Sequence, residues 1–235
     1  MRNYLIFDGK DSRDYGVYIS GSGTFDAPAR EYEAVPVPGR NGDLLIHNKR
    51  LSNISITYPA FIYANFRDNM AAFKSMLLSR TGYKRLEDTY HPEEFRRAYY
   101  RGDLQASVRS RNDAAEFDLV FECDPRRFLK AGEAKRTFTG AGTIANPTEF
   151  DAKPLIRVYG YGTLTVGADT ITIAQAYSYV DIDSEVMDCY YGATNANGIV
   201  TFSTNDFPVL KPGHTSISFT GHISSVEITP RWWRV

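Results

Sequence analysis

Cysteines and long hydrophobic runs are both scarce in this sequence. Cys123 and Cys189 are its two cysteines, and there is no CxxC pair of the kind found in zinc or redox motifs. Cys123 follows Leu119 and Phe121 in alternation, which predicts a buried free thiol. No stretch approaches the ~20 apolar residues that span a bilayer, and the apolar run at residues 4–7 is too short for a secretion signal. We therefore expect a protein that folds in a reducing bacterial cytoplasm and does not contact a membrane.

An excess of positive charge is also missing. Lys and Arg together number 27 and Asp and Glu 28, for a net charge of −1, whereas nucleic-acid-binding domains carry a basic excess. The charged fraction of 23% argues for a folded chain rather than a disordered one. A chain of 235 residues suits one large domain or two modest ones.

The signatures of common enzymes are absent too. The histidines form no HExxH or other close ligand spacing; they are His47, His91, His214 and His222. No Gly-x-Ser-x-Gly elbow occurs, and residues 159–162 lack the glycine spacing of a phosphate cradle and indicate a strand bend. Asp181, Asp183 and Glu185 alternate, which would suit a glycosidase pair or a calcium site, but we favour a polar strand face or turn because one local cluster rarely makes a site. We therefore expect no catalytic activity, no cofactor and no metal.

Hydrophobic periodicity predicts a mainly β protein with one helix. Apolar residues alternate with polar ones over residues 53–62 and again over 115–123, as they do in half-buried strands. Between these strands, apolar residues recur at helical spacing over residues 66–79. Asn65 is expected to cap the first turn of this helix and Gly82 to follow its end.

The second half of the chain reads as shorter strands separated by Gly, Asn and Pro turns. Seven such strands predict a β-sandwich, over residues 155–159, 162–166, 170–173, 177–182, 198–202, 215–220 and 223–229. Glycines cluster in residues 130–151 and suggest a linker there. We place the two domains at residues 1–135 and 136–235.

Several turn and strand-end motifs follow one another along the chain. They are residues 14–19 (Asp-Tyr-Gly-Val-Tyr-Ile), 38–43 (Pro-Gly-Arg-Asn-Gly-Asp), 83–90, 121–128 (Phe-Glu-Cys-Asp-Pro-Arg-Arg-Phe), 146–148 (Asn-Pro-Thr), 153–156 (Lys-Pro-Leu-Ile), 182–185 (Ile-Asp-Ser-Glu), 207–213 and 230–233 (Pro-Arg-Trp-Trp). Each motif is weak alone. In their joint order across two domains, the chain resembles the distal tail proteins (Dit) of siphophages and related prophages.

This resemblance implies both a fold and a role. The fold would be an N-terminal, tail-tube-like β-sandwich with one α-helix and a long hairpin arm, followed by a galectin-like β-sandwich. Six copies would form a ring at the distal end of the phage tail, joining the tail tube to the tail-associated hub protein and baseplate and anchoring receptor-binding proteins. DNA would pass through the lumen only as cargo. A chain of 235 residues has no room for the inserted carbohydrate-binding module that some family members carry.

Residues 31–50 predict the arm by which such subunits would join. Pro38-Gly39 and Asn41-Gly42 suit tight turns, and the apolar run at residues 44–46 places apolar side chains on both faces of a hairpin. A lone two-stranded arm is marginal in water and exposed apolar edges invite pairing, so we expect it to lie on a neighbouring subunit. The predicted interface comprises Pro38, Gly39, Arg40, Asn41, Gly42, Asp43, Leu44, Leu45 and Ile46. The alternative is an ordinary hairpin within its own sheet.

Both tryptophans lie at the end of the sequence, in the run Arg231, Trp232, Trp233. Such rings bury a large apolar area against a neighbouring domain or subunit, and we expect at least one ring at the seam between the two domains. The main alternative is a carbohydrate-binding, lectin-like adhesion module in which the rings stack on a sugar. Against it, the His, Asn, Arg, Trp and Glu set of a galectin does not appear, and Thr148 follows Asn146-Pro147 where that motif would have arginine. A tail-tube subunit, a third alternative, would not explain the second domain.

Overall fold

The protein is mainly β, and it divides into two compact units. The structure is a computed structural model that describes residues 2–21, 23, 25–63, 65–109, 114–175, 177–204 and 206–235. One unit, the first domain, comprises Met1–Arg127 together with Val235, and the other, the second domain, comprises Phe128–Arg234. The prediction of a mainly β fold with one α-helix in the first domain is confirmed.

The first domain is built on one large sheet and a separate hairpin. Its strands are β1 (Leu5–Phe7), β2 (Lys10–Asp11), β3 (Val17–Ile19), β4 (Arg30–Val35), β5 (Leu44–Leu51), β6 (Ile54–Tyr63), β7 (Lys84–Asp88), β8 (Glu94–Tyr100), β9 (Ser107–Val108) and β10 (Ala114–Leu129). The large sheet has the order β2-β1-β7-β8-β10-β6-β3, and β9 adds to β10. A long antiparallel pairing joins β6 to β10, from Ala114 opposite Tyr63 to Cys123 opposite Ile54.

Alternation along β6 and β10 sorts side chains into a core and an outer face. Along β6 every second residue from Ile54 to Ile62 is buried, as the sequence predicted. Tyr58 is fully buried and its hydroxyl donates to Asp88 Oδ2 at 2.8 Å. Cys123 is a buried free thiol, and burial raises its pKa to about 12. The thiol is therefore protonated at neutral pH and unreactive.

The single described α-helix, α1 (Phe66–Leu78), packs an apolar face into this core. Phe73 is fully buried, and its ring lies against those of Tyr15 and Phe117. Asn65 lies at the N-cap position with a φ of 51°, but the expected capping hydrogen bond is wrong, because its side chain makes none. Asn65 adopts a left-handed backbone conformation just before the helix. Asparagine tolerates this conformation better than most residues with a Cβ.

The second domain is a sandwich of two sheets around one core. Its strands are β11 (Arg136–Phe138), β12 (Gly142–Asn146), β13 (Leu155–Tyr159), β14 (Gly162–Val166), β15 (Asp169–Ile173), β16 (Val180–Asp183), β17 (Asp188–Tyr191), β18 (Thr194–Asn195), β19 (Val200–Phe202), β20 (Gly213–Gly221), β21 (Ser225–Thr229) and β22 (Trp233–Arg234). One sheet has the order β11-β21-β13-β16-β17-β18 and the other β12-β20-β14-β15-β19, and β22 is part of neither. Side chains from both sheets, such as Ile156 and Leu164, share the buried cluster. The predicted C-terminal sandwich is confirmed.

The predicted linker at residues 130–151 is wrong, because this segment supplies β11 and β12 to the two sheets. Two of its glycines, Gly132 and Gly142, lie where the chain is closely packed. A Cβ on Gly132 would lie 2.4 Å from the backbone nitrogen of Trp232, and one on Gly142 would lie 2.8 Å from the ring of Phe138. Glycine is used where another part of the chain approaches this closely.

Glycines also form the corner at which the chain passes from one sheet to the other. Gly160 and Gly162, on either side of the predicted bend, have φ values of 103° and 142°. A Cβ on Gly160 would lie 2.1 Å from the carbonyl oxygen of His222, and one on Gly162 would lie 2.2 Å from that of Thr220. The two chain segments therefore cross with no space for a side chain.

This corner predicts the effect of two alanine substitutions. Gly160→Ala is expected to destabilise the second domain by about 1–3 kcal/mol, the usual cost of overpacking, because the backbone at His222 must move. Gly140→Ala is the matched control, since nothing lies within 4 Å of a Cβ there. Urea denaturation of both variants measures the difference. Equal stability of the two variants would contradict the proposed crossing.

Candidate functional site

The hairpin formed by β4 and β5, here called the arm, stands apart from the rest of the first domain. These two strands form a sheet of their own that includes no other strand of the described residues. At the tip, Gly39 and Gly42 have φ values of 79° and 82°, and the Arg40 N–H donates to the Val37 carbonyl at 3.2 Å. The predicted turn dipeptides thus form the end of the arm, as their sequence requires.

Apolar side chains of the arm are exposed to solvent within the described chain. Leu44, Leu45 and Ile46 keep 44%, 51% and 45% of their surface exposed, and Tyr32 keeps 52%. Tyr32 lies edge-on to His47 across the two strands, with ring centroids 5.8 Å apart. An isolated hairpin of this kind has few contacts of its own to stabilise it in water.

Polar contacts hold the base of the arm. The Ser52 N–H donates to the Ala29 carbonyl at 2.9 Å, and the Ser52 hydroxyl donates to Glu31 at 3.1 Å. Glu31 also lies 3.5 Å from the Arg50 guanidinium. These contacts hold the two strands together at the base of the arm, and residues 32–49 extend beyond them.

The run Arg231, Trp232, Trp233 lies within the second domain. Trp232 is 4% exposed and belongs to the core of this domain. Trp233 stacks on Phe150 with ring centroids 4.3 Å apart, and its indole N–H donates to the Asp151 carbonyl at 2.9 Å. Burial of Trp232 leaves its ring unable to stack on a sugar, and the expected packing at a seam between the domains stays a prediction.

Arg231 ties this run to the neighbouring strand through a two-point ion pair. Its guanidinium donates to both oxygens of Asp183, at 2.6 and 2.9 Å. The arginine backbone has a φ of 60°, a left-handed conformation that costs about 1–2 kcal/mol for a residue with a Cβ. The ion pair and an N–H bond to the Gly132 carbonyl at 2.8 Å hold it there.

Several sequence motifs of the second domain that are far apart in the chain contact one another near Asp183 and Arg231. The Asn146 side-chain amide donates to the carbonyls of Phe150 and Leu210, both at 2.9 Å. The Ser184 hydroxyl donates to the Pro208 carbonyl at 2.7 Å, and the Ser184 N–H donates to the Pro154 carbonyl at 3.1 Å. Sequence reasoning found these motifs but not their contact, which depends on pairings across tens of residues.

Two of the alternating carboxylates, Asp181 and Asp183, are paired with arginines. Arg157 donates to both oxygens of Asp181, at 2.7 and 2.8 Å, and its guanidinium lies over the Tyr179 ring. Burial raises the pKa of Asp183, but hydrogen bonds and charge from Arg231 outweigh burial and hold that pKa below its usual range. With both aspartates paired to arginine, neither is available as a catalytic acid, and no group of His, Cys, Asp and Glu among the described residues could hold a metal ion.

The chain matches no protein-family model and no curated protein. Among solved structures, the Dit (gp 19.1) protein of phage SPP1, described as a paradigm of the hub adsorption apparatus of phages that infect Gram-positive bacteria, superposes with a TM-score of 0.77 over 100% of both chains at 13% identity. A chain of the phage p2 baseplate in its activated, strontium-bound conformation gives a TM-score of 0.50 at 11% identity, over 100% of this chain and 98% of that one. The chain therefore has the fold of the SPP1 protein. In the described part of the chain, no helix is long and apolar enough to cross a membrane.

Core burial of Trp232 predicts a large difference between the two tryptophans. Trp232→Ala is expected to destabilise the second domain by about 3–5 kcal/mol, the usual cost of truncating a buried aromatic side chain. Trp233→Ala serves as the comparison and should cost less, because its ring is only half-buried. Thermal melting of both variants gives the answer. A Trp232→Ala protein as stable as the wild type would refute the core assignment.

The ion pair between Asp183 and Arg231 predicts a pH dependence. An aspartate in the unfolded chain titrates near pH ~3.9, and the folded pKa of Asp183 is lower. The pair's contribution to stability is therefore fully present above about pH 5 and is lost as pH falls through the lowered pKa. The wild type should exceed Asp183→Asn in melting temperature by a constant margin from pH 7 to about 5, and the margin should shrink below that. A difference in melting temperature that stays constant down to the pH of acid unfolding would contradict the pairing.

Proposed function

We propose that this protein is a distal tail protein of a siphophage or related prophage, with a structural and non-enzymatic role. Similarity of fold to the SPP1 Dit protein, over the full length of both chains, supports the proposal. The observation that carries it is the arm, an isolated two-stranded sheet with exposed apolar residues. A protein that acted alone would leave these side chains in water.

In this proposal six copies close a head-to-tail ring at the distal end of the tail. The interface is heterologous, since the arm of one copy meets a different surface on the next, and such an interface closes when its rotation fits. Residues 38–46 are the proposed contact, with Leu44, Leu45 and Ile46 supplying the apolar area. The ring joins the tail tube to the tail-associated hub protein.

The second domain would carry the outward contacts of the ring, including receptor-binding proteins. Its strand pairing and its two arginine–aspartate pairs support this role, because they fix the positions of neighbouring strands within the domain. DNA passes through the lumen without specific recognition, in line with the net charge of −1. The protein would fold in the host cytoplasm and function in the virion.

Ring formation is tested on purified protein and on purified tails. Native mass spectrometry and negative-stain images at high concentration should give six-subunit rings or fragments of them. A weak interface can require the tail tube as template, so labelled antibody on intact virions is the second arm of the test. The label should mark the distal end of the tail. A protein that is monomeric alone and absent from that end would overturn the proposal.

A further inference from the structure

The sequence contains two Asn-Gly pairs, Asn41-Gly42 at the tip of the arm and Asn197-Gly198 in the second domain. Asparagine is a thermolabile residue, because its side-chain carbonyl can react with the backbone nitrogen of the next residue. Glycine in that next position favours the reaction, since it has no side chain to hinder the approach. Both asparagines are exposed. Sequence and exposure alone therefore predict that the two sites react equally fast.

Hydrogen bonds fix both polar atoms of the Asn197 side chain. Its Oδ1 accepts from the Cys189 N–H at 2.8 Å, and its Nδ2 donates to the Asp188 carboxylate at 2.7 Å. The residue also begins a 3-10 helical turn, Asn197–Ile199. Loss of the amide requires the side chain to rotate until its Cγ meets the Gly198 nitrogen. Because the two hydrogen bonds must break before that rotation, the fold protects Asn197.

Asn41 has no such restraint. Its side chain makes no hydrogen bond to any of the residues that the structure describes. Gly42 has a φ of 82° and lies outside both strands of the arm, and a Cβ placed on it would meet nothing within 4 Å. The hydrogen bond across the tip, from the Arg40 N–H to the Val37 carbonyl, does not involve Asn41. The Asn41 side chain can therefore turn onto the Gly42 nitrogen without breaking a contact.

We infer that Asn41 is a site of spontaneous deamidation, a covalent modification of the arm tip that needs only water. The Gly42 backbone nitrogen attacks the Asn41 Cγ and loses its proton, the bond from Cγ to Nδ2 breaks, and the amide nitrogen leaves as ammonia. Water then opens the resulting succinimide ring at one of its two carbonyl carbons. The products are aspartate, which keeps the original main chain, and isoaspartate, in which the main chain runs through the side chain. No atom is oxidised or reduced.

The modification changes both the charge and the length of the arm tip. A new carboxylate appears between Arg40 and Asp43, and this one added negative charge takes the net charge of the chain from −1 to −2. Isoaspartate also adds a carbon to the main chain of a turn that depends on positive φ at Gly39 and Gly42. The reaction is a property of the free chain and does not depend on the proposed ring.

Peptide mapping of the folded, full-length protein during incubation at mildly alkaline pH gives the test. Dilute protein is used, so that contact between copies does not cover the tip. Mass spectrometry follows the conversion of amide to acid in the peptides that contain Asn41 and Asn197. Asn41 should convert on the order of tenfold faster or more, since the two hydrogen bonds of Asn197 add to the barrier at that site. In concentrated urea, where the fold is lost, the two rates should become similar.

Two variants check the structural cause of this difference. Asn41→Gln keeps an amide at the tip but would have to close a larger ring, so the tip peptide should stay unmodified. Asp188→Ala removes the hydrogen bond from the Asn197 Nδ2 and should raise the rate at Asn197. The rate at Asn41 in the Asp188→Ala protein should equal that of the wild type.

The remaining outcomes overturn the inference. An Asn41 that stays intact in the folded protein but converts in urea would show that the turn protects it. Equal rates at Asn41 and Asn197 in the folded protein would show that hydrogen bonding does not distinguish the two sites. Conversion of Asn41 without any isoaspartate, which chromatography separates from aspartate, would exclude the succinimide route.

Discussion

A hairpin that cannot bury its own side chains is the constraint on which the rest of this structure depends. The large sheet and α1 of the first domain enclose their apolar residues in one cluster. The arm does the opposite, since its two strands pair only with each other in the described chain and expose Leu44, Leu45 and Ile46. Because apolar area removed from water is the main favourable term in association, the missing cover points to an assembled state. The function proposed for the chain follows from that need.

The second domain contrasts with the arm in having its polar groups bonded internally. Asp183 and Asp181 each receive two hydrogen bonds from an arginine, and Trp232 is enclosed in the core. Carboxylates bound in this way are poor candidates for catalysis, because removing their arginine partners would be required before they could act. In the proposed function, these fixed polar contacts would suit a domain that holds other proteins in place.

Local patterns predicted much of the fold, and long-range contacts explain what they missed. Alternation along β6 and β10 and helical spacing along α1 depend only on neighbouring residues, so they could be read from the sequence. Residues 130–151 resemble a linker in sequence because the packing of Gly132 depends on a distant residue: it faces the backbone of Trp232, a hundred positions away in the chain. The hydrogen bonds from Asn146 to the Leu210 carbonyl and from Ser184 to the Pro208 carbonyl could not be predicted for the same reason, since each joins distant parts of the chain. The arm's geometry was predictable, but its partner surface remains a proposal since one chain cannot display it.

A reconstruction of the assembled tail end at side-chain resolution tests the central claim most directly. The account predicts a closed ring of this chain in which residues 32–46 of each copy are enclosed by a neighbouring copy. In that ring Leu45 and Ile46 would be out of contact with solvent. An arm that projects into solvent, or that folds back onto its own subunit, would contradict the account.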